Sequence, residues 1–216
     1  MKGVPDIAET PFFISEVIIM EQMVSRIDHV SIAVKDFEKA EKFFRTLLGG
    51  IPGASAEDKK TKYFWQIYSL GDLTRLELIT STGAGSFLDN FLAEREGGVH
   101  HITLQTPDIA ETRKILEQQG IPYFGYHEYK GAYWKELFIH PRHAFGVLIQ
   151  ISEFHPDDWL AKTVKLEEGN RWIIKKDQVG VGLHFSHPGG GKVQINLTKD
   201  DVKKMIADLE TALTSC

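Results

Sequence analysis

The chain repeats itself. His29-Val30-Ser31-Ile32-Ala33-Val34-Lys35-Asp36-Phe37 aligns with His101-Ile102-Thr103-Leu104-Gln105-Thr106-Pro107-Asp108-Ile109, 72 residues further on. Each copy opens with the polar/apolar alternation of a strand. Each then reaches an aspartate, Asp36 or Asp108, suited to cap a helix. Helical spacing follows, with Phe37, Ala40, Phe44 and Leu47 in the first copy. Ile109, Thr112, Leu116 and Gln119 take related places in the second, and Gly120 is a stop. Further strands are predicted over Tyr63 to Leu70 and Arg75 to Ser81 around a turn at Gly71-Asp72, and over Tyr133 to His140 and Phe145 to Phe154 around Pro141. Phe87 to Arg95 reads as a short joining helix and Gly97-Gly98 as a hinge. The fold class this implies is α+β: two βαβββ modules, about 26–82 and 97–154, forming a cupped mixed sheet with helices outside.

Two segments flank the repeat. Residues 1–25 form an N-terminal extension whose apolar stretch, Pro11 to Val24, is interrupted by Glu16 and Glu21 and is too short to cross a bilayer. Thr10 and Pro11 there suit a helix start. Residues 155–216 read as a small β-β-α appendage: Trp172 to Lys175 and Val181 to Phe185 as strands, a turn at Pro188 to Gly191, and Lys192 to Leu197 as a further strand. A helix then starts at Thr198 and carries Val202, Ile206, Leu209 and Leu213 on one stripe. His184 and His187 read as surface residues.

Charge excludes several functions. Lys+Arg is 25 and Asp+Glu is 30, a net charge of −5, which argues against nucleic acid and against an electrostatic membrane anchor. The single cysteine, Cys216, leaves no internal disulfide and no thiolate zinc site. A reducing, cytoplasmic setting follows, and no signal peptide is evident. Metal chemistry falls to the nine histidines, the carboxylates and the amides.

Strand parity selects among them. With Val30, Ile32 and Val34 on the greasy side of the first strand, His29, Ser31 and Ala33 face the other way. With Ile102 and Leu104 greasy, His101, Thr103 and Gln105 face away, and His100 points to the helix side. Glu77 lies opposite Leu76 and Leu78, and Gln150 lies opposite Val147, Ile149 and Ile151. The repeat thus yields two pairs, His29 with His101 and Glu77 with Gln150. Two imidazoles, a carboxylate and an amide oxygen suit one divalent ion: zinc, cobalt, nickel, manganese or iron(II).

These residues carry a family likeness. Ile27-Asp28-His29-Val30, the helix after Asp36, Leu76-Glu77-Leu78, Gly98-Val99-His100-His101-Ile102, and His140-Pro141 leading to Gly146-Val147-Leu148-Ile149-Gln150 resemble the vicinal oxygen chelate (glyoxalase/bleomycin resistance/dioxygenase) superfamily. The run Ser86 to Leu92 before Gly97-Gly98-Val99-His100-His101 is most similar to the methylmalonyl-CoA epimerase family. The likeness spans about 26–154. It implies metal ligands at His29, Glu77, His101 and Gln150, with the family's glutamine and glutamate exchanged between strands. It implies Glu77 as a base and puts Gln66 where the family has a third-strand glutamate. Because Gln66 and Gln150 replace candidate bases, and an amide is no base near neutral pH, the two-base apparatus of an epimerase is altered. His127, Glu128 and Glu136 are candidates to compensate.

The resemblance implies an isomerase or lyase, epimerase-like or glyoxalase-like. It would act through a metal-stabilised enediolate on a small carbonyl or acyl-CoA substrate, as a homodimer. Two alternatives stay open: an iron(II) dioxygenase built on His29, His101 and Glu77, and a non-catalytic small-molecule binder. For the binder, Phe64, Trp65, Tyr68, Tyr123, Phe124, Tyr126, Tyr133 and Trp134 are lining candidates.

Overall fold

A computed structural model of the chain describes residues 23–71, 73–176 and 180–214. The N-terminal stretch through residue 22, Asp72 of the expected turn, and Cys216 lie outside the described residues. The first module runs β1 (Arg26–Val34), α1 (Phe37–Glu41), β2 (Ile51–Asp58), β3 (Tyr63–Leu70) and β4 (Thr74–Ser81). After α2 (Leu88–Leu92), the second runs β5 (Gly97–Gln105), α3 (Ile109–Gln118), β6 (Phe124–Glu128), β7 (Trp134–Ile139) and β8 (Ile149–Phe154). All eight strands form one mixed sheet in the order β2-β3-β4-β1-β5-β8-β7-β6. Each module pairs its first strand parallel to its last, and β1 and β5 meet antiparallel at the centre. The order reads the same from either edge, as a repeat related by a pseudo-twofold axis must.

The two helices start as their sequences dictate. The Asp36 side chain accepts from Lys39 N, and Asp108 accepts from Ala110 N and Glu111 N. Gly120 stops α3 at φ +65°, a conformation that suits glycine. Ile109 and Leu116 of α3 bury against Leu137, Ile139 and Ile151. In the first module Phe37, Ala40 and Phe44 cover Val30, Ile32, Tyr68, Leu76 and Leu78. Full burial of each such aliphatic side chain stabilises by about 1.5–3 kcal/mol. The expected helical face fails at Leu47: α1 widens into a π turn over Lys42–Leu47, which rotates that side chain into solvent.

Three further expectations change. Gly97 and Gly98 are no hinge; they open β5 and pair with Val34 and Ala33. At Gly97 any Cβ would sit 2.9 Å from the Ala33 carbonyl, so the closeness of the two strands explains the glycine. The last strand starts at Ile149 rather than Phe145. Pro141–His143 forms a 3₁₀ turn, and Phe145 and Gly146 have positive φ, which leaves Val147 outside the ladder. In the appendage all three expected segments form strands, so its order is β-β-β-α rather than β-β-α: β9 (Trp172–Lys176), β10 (Val181–Ser186) and β11 (Lys192–Leu197), followed by α4 (Lys199–Thr214). His187 falls just past β10 and accepts from Gly189 N in the turn.

Candidate metal centre and cavity

β1 and β5 are not smooth strands. The register jumps from Ile27–Leu104 to His29–Thr103, and from Ser31–His101 to Ile32–Val99. Asp28 and His100 are the extra residues, so each module carries a β-bulge one residue ahead of its site histidine. A bulge suspends alternation. His100 therefore does not point to the α1–α3 side as parity predicts. Its ring packs on Phe87 and Phe91 at α2, and its Nδ1 lies 3.0 Å from His101 Nδ1.

The structure brings His29, Glu77 and His101 together. The Nε2 atoms of the two histidines lie 3.8 and 3.6 Å from Glu77 Oε2, and one ligand atom from each residue falls within 4.8 Å of the others. Both histidines are buried. A divalent ion with bonds of about 2.0–2.2 Å holds its ligand atoms roughly 3–4 Å apart, so this donor set fits one. Gln150 joins through Thr103. The Thr103 hydroxyl donates to Gln150 Oε1 at 2.5 Å and lies 2.8 Å from His29 Nε2.

Asp28 governs the first histidine. Its Oδ2 is 2.7 Å from His29 Nδ1, while its Oδ1 takes Arg26 and the fully buried Arg75. A carboxylate only accepts, so Nδ1 holds a proton and Nε2 is the atom presented to a metal. Thr103 spends its one proton on Gln150, so its contact with His29 Nε2 places a proton there as well. Burial pulls the His29 pKa down, but the Asp28 hydrogen bond and the charges of Glu77 and Asp28 outweigh it and hold the imidazole above its ordinary value. His101 goes the other way. Burial, then the neighbouring His29 and His100, hold it well below the ordinary value, leaving it neutral and ready to ligate. Burial pushes Glu77 above the usual carboxylate range despite His29 and Ser31, with Glu136 and Asp28 adding to the rise.

Of these groups Asp28, His29, Glu77 and Gln150 line a cavity of about 520 Å³. Trp65 and Ile67 line it from β3; Gln66, between them, faces the other way and donates to the carbonyls of Gly53, Ala54 and Ile67. Of the aromatic lining expected from sequence, Trp65 and Trp134 reach the cavity. Phe64 instead packs on Phe37, Tyr68 sits in the core, Tyr123 and Tyr126 hold Arg113, Tyr133 stacks on His155, and Phe124 stacks on Phe138. Tyr63, Tyr129 and Trp159 line it as well, and sequence pattern alone did not single them out. Of the three compensating candidates, Glu136 lines the cavity. It is buried and accepts from Tyr129 OH, Trp134 Nε1 and Gln150 Nε2 at 2.7–2.9 Å. A carboxylate offers about four lone-pair directions, so one remains for another partner. The period-2 rule on β7, run from Trp134, would have found it.

Residues 28–138 match the family profile of the Glyoxalase/Bleomycin resistance protein/Dioxygenase superfamily. An ethylmalonyl-CoA/methylmalonyl-CoA epimerase of Cereibacter sphaeroides is 35% identical over 134 residues, 61% of this chain and 99% of that protein. The mitochondrial methylmalonyl-CoA epimerase of Homo sapiens is 30% identical over 132 residues, 60% of this chain and 74% of that protein. The crystal structure of methylmalonyl-CoA epimerase from Mycobacterium tuberculosis superposes with a TM-score of 0.58 at 25% identity, covering 65% of this chain and 95% of that one.

Proposed function

The chain belongs to the glyoxalase/bleomycin resistance protein/dioxygenase superfamily, and from that premise we propose that it is a divalent-metal-dependent isomerase acting on the carbon next to a carbonyl, in the manner of a methylmalonyl-CoA epimerase. The substrate class is an acyl-CoA or a related carbonyl compound. One observation carries this reading: His29 and Glu77 of the His29–Glu77–His101 cluster line a cavity that also holds the buried carboxylate of Glu136. His29, Glu77 and His101 hold the ion, with the Gln150 amide oxygen as fourth donor. A bound divalent ion supplies Lewis-acid stabilisation of the negative charge that develops on a carbonyl oxygen.

The chain's own residues move the proton. Glu136 replaces Gln66 and Gln150 as the base: its free lone pair takes the α-proton, the C–H bond breaks, an O–H bond forms on Glu136, and the electron pair shifts to the carbonyl oxygen. Gln150, Tyr129 and Trp134 orient that carboxylate by hydrogen bonds to its oxygens. The indoles and Tyr63 shield the reacting centre from water. A cytoplasmic homodimer completes the reading.

Two measurements test it. Elemental mass spectrometry should find one divalent ion per chain. Incubation with methylmalonyl-CoA in deuterated buffer should wash deuterium into the α-position. A metal-free protein that resists reconstitution sinks the proposal and leaves a non-catalytic binder. Two histidines and one carboxylate are also the donor set of iron(II) oxygenases, so bound iron with oxygen uptake in place of exchange would transfer the site to that class.

A further inference from the structure

The segment that follows the cup comes back over it. After β8 the chain turns through a 3₁₀ turn, Pro156–Trp159, and the Trp159 indole enters the cavity. Its ring centroid lies 5.6 Å from that of Trp65 on β3 and 4.9 Å from that of Trp134 on β7. One side chain from outside both modules thus touches a wall of each. Trp134 is in turn the indole that donates to Glu136.

The segment is fixed from several sides. At Gly53 of β2 an added Cβ would sit 2.2 Å from the Trp159 carbonyl oxygen, so a bare backbone is what lets the turn seat there. Leu160 and Val164 are buried just behind it. Arg75 donates to Pro156 O and to Gly189 O, both at 3.0 Å, while also holding Asp28. Gly191 N donates to Asp157 Oδ1 at 2.6 Å. The same anchors therefore serve the turn, the appendage and the carboxylate behind His29.

We propose that Trp159 is a specificity-determining residue: by bridging the two walls it limits the size of the substituent that a carbonyl substrate can carry on its α-carbon. This rests on the reading of the cavity as the site of an α-proton isomerase and adds the substrate's dimensions to it. An indole spanning the cup occupies volume that a longer acyl branch would need. A compact branch packs against the rings; a longer one must displace them. A single methylene in such a pocket changes affinity by about tenfold or more.

The experiment uses the full-length, metal-loaded protein and a graded series: methylmalonyl-CoA, ethylmalonyl-CoA and butylmalonyl-CoA, with affinities measured by calorimetry. Wild type should bind the methyl or ethyl compound at least tenfold more tightly than the butyl one. Trp159→Ala should erase or reverse that order. Trp159→Phe should fall between. Gly53→Ala pushes on the Trp159 carbonyl without touching the indole and should shift the order in the same direction by less. Circular dichroism establishes that each variant is folded; should Trp159→Ala fail to fold, the other two carry the test. An unchanged order in the folded variants overturns the proposal. Binding with the expected order but no α-deuterium exchange overturns the isomerase reading and leaves the role of Trp159 standing. A wild type that holds its metal and binds none of the series overturns both the role of Trp159 and the acyl-CoA substrate.

Discussion

The two modules share a backbone and differ at nearly every position that matters for chemistry. Each has a bulge one residue before its histidine. The first puts a carboxylate there, Asp28, and the second an imidazole, His100. Glu77 faces Ile67 across β3, and Gln150 faces Phe138 across β7. Two residues back along those strands the first module presents Trp65 and the second Glu136. The candidate acidic ligand therefore comes from one module and the candidate base from the other. The repeat supplies a symmetric frame; single substitutions at equivalent points give it a direction. The bulge residues contribute to the opposed pKa shifts: against burial, Asp28 together with Glu77 raises His29, whereas His101 is lowered by burial and then by His29 and His100.

The largest expected effect breaks the ligand pairing. His101→Ala should abolish metal binding, taking elemental analysis from one ion per chain to none. Glu77→Gln should weaken binding strongly because the only anionic ligand is gone. Pairing it with Gln150→Glu moves the charge to the other module but sets it against the Glu136 carboxylate, which loses the Gln150 amide donor, so the double variant should recover only part of the lost affinity. A double variant no better than Glu77→Gln would show that the two positions are not interchangeable.

The next effect separates the walls. Glu136→Gln keeps the size and most of the hydrogen bonds but removes the basic lone pair. It should slow α-deuterium exchange by about 10²–10⁴-fold with metal content unchanged. Exchange at the wild-type rate would return the proton-transfer role to Glu77.

The bulges come third. Asp28→Asn should cost about 10–100-fold in metal affinity, the usual range for a group that orients a ligating histidine. His100→Phe, which keeps the packing on Phe87 and Phe91, should cost less. The metal-free protein holds a proton on His29 at pH values where a free imidazole has lost it. Metal uptake expels that proton, so affinity should rise with pH through the region above the ordinary imidazole value. Asp28→Asn should flatten that slope. Titration calorimetry in two buffers of different ionisation enthalpy reads the proton directly. Equal slopes for wild type and variant would detach Asp28 from the pKa of His29.

How much of this was legible in the sequence follows from what each feature depends on. The repeat, the capping aspartates and the facing of His29, Glu77 and His101 are local, and periodicity reads them. The bulges are not. Each arises where one strand advances two residues while its antiparallel partner advances one, and His100 alone gives no sign of it. β2 carries Pro52, Gly53, Ala54 and Ser55, poor strand formers, and it exists because β3 offers an edge to pair with. The π turn after α1 has no local signature either. Trp159 was invisible for another reason: it stands alone in a segment without periodicity, and only the path of the chain after Phe154 brings it back to the cup.

The smallest expected effect concerns stability, and it too distinguishes the modules. Glu153 of β8 accepts from Ile109 N, Tyr133 OH and Lys135 Nζ, so it holds the start of α3 alongside Asp108. Its counterpart one repeat earlier is Thr80, which brings no charge to α1. Burial alone would raise the Glu153 pKa; the Ile109 N–H, Lys135 and Tyr133 overcome that and hold it below the usual carboxylate value. A carboxylate whose folded pKa lies below its unfolded value of about 4.3 stabilises fully above that value and loses the contribution as pH falls through the folded one. Glu153→Gln should therefore cost about 1–3 kcal/mol at neutral pH, and the gap to wild type should close below about pH 4. Amide exchange along the chain adds the spatial test. On acidification, α3 and β7 should lose protection before α1 and β3, and the variant should show that pattern already at pH 7. Loss of protection in both modules at one pH would assign acid sensitivity to the shared centre, where Asp28 and Arg75 meet, and not to the second module.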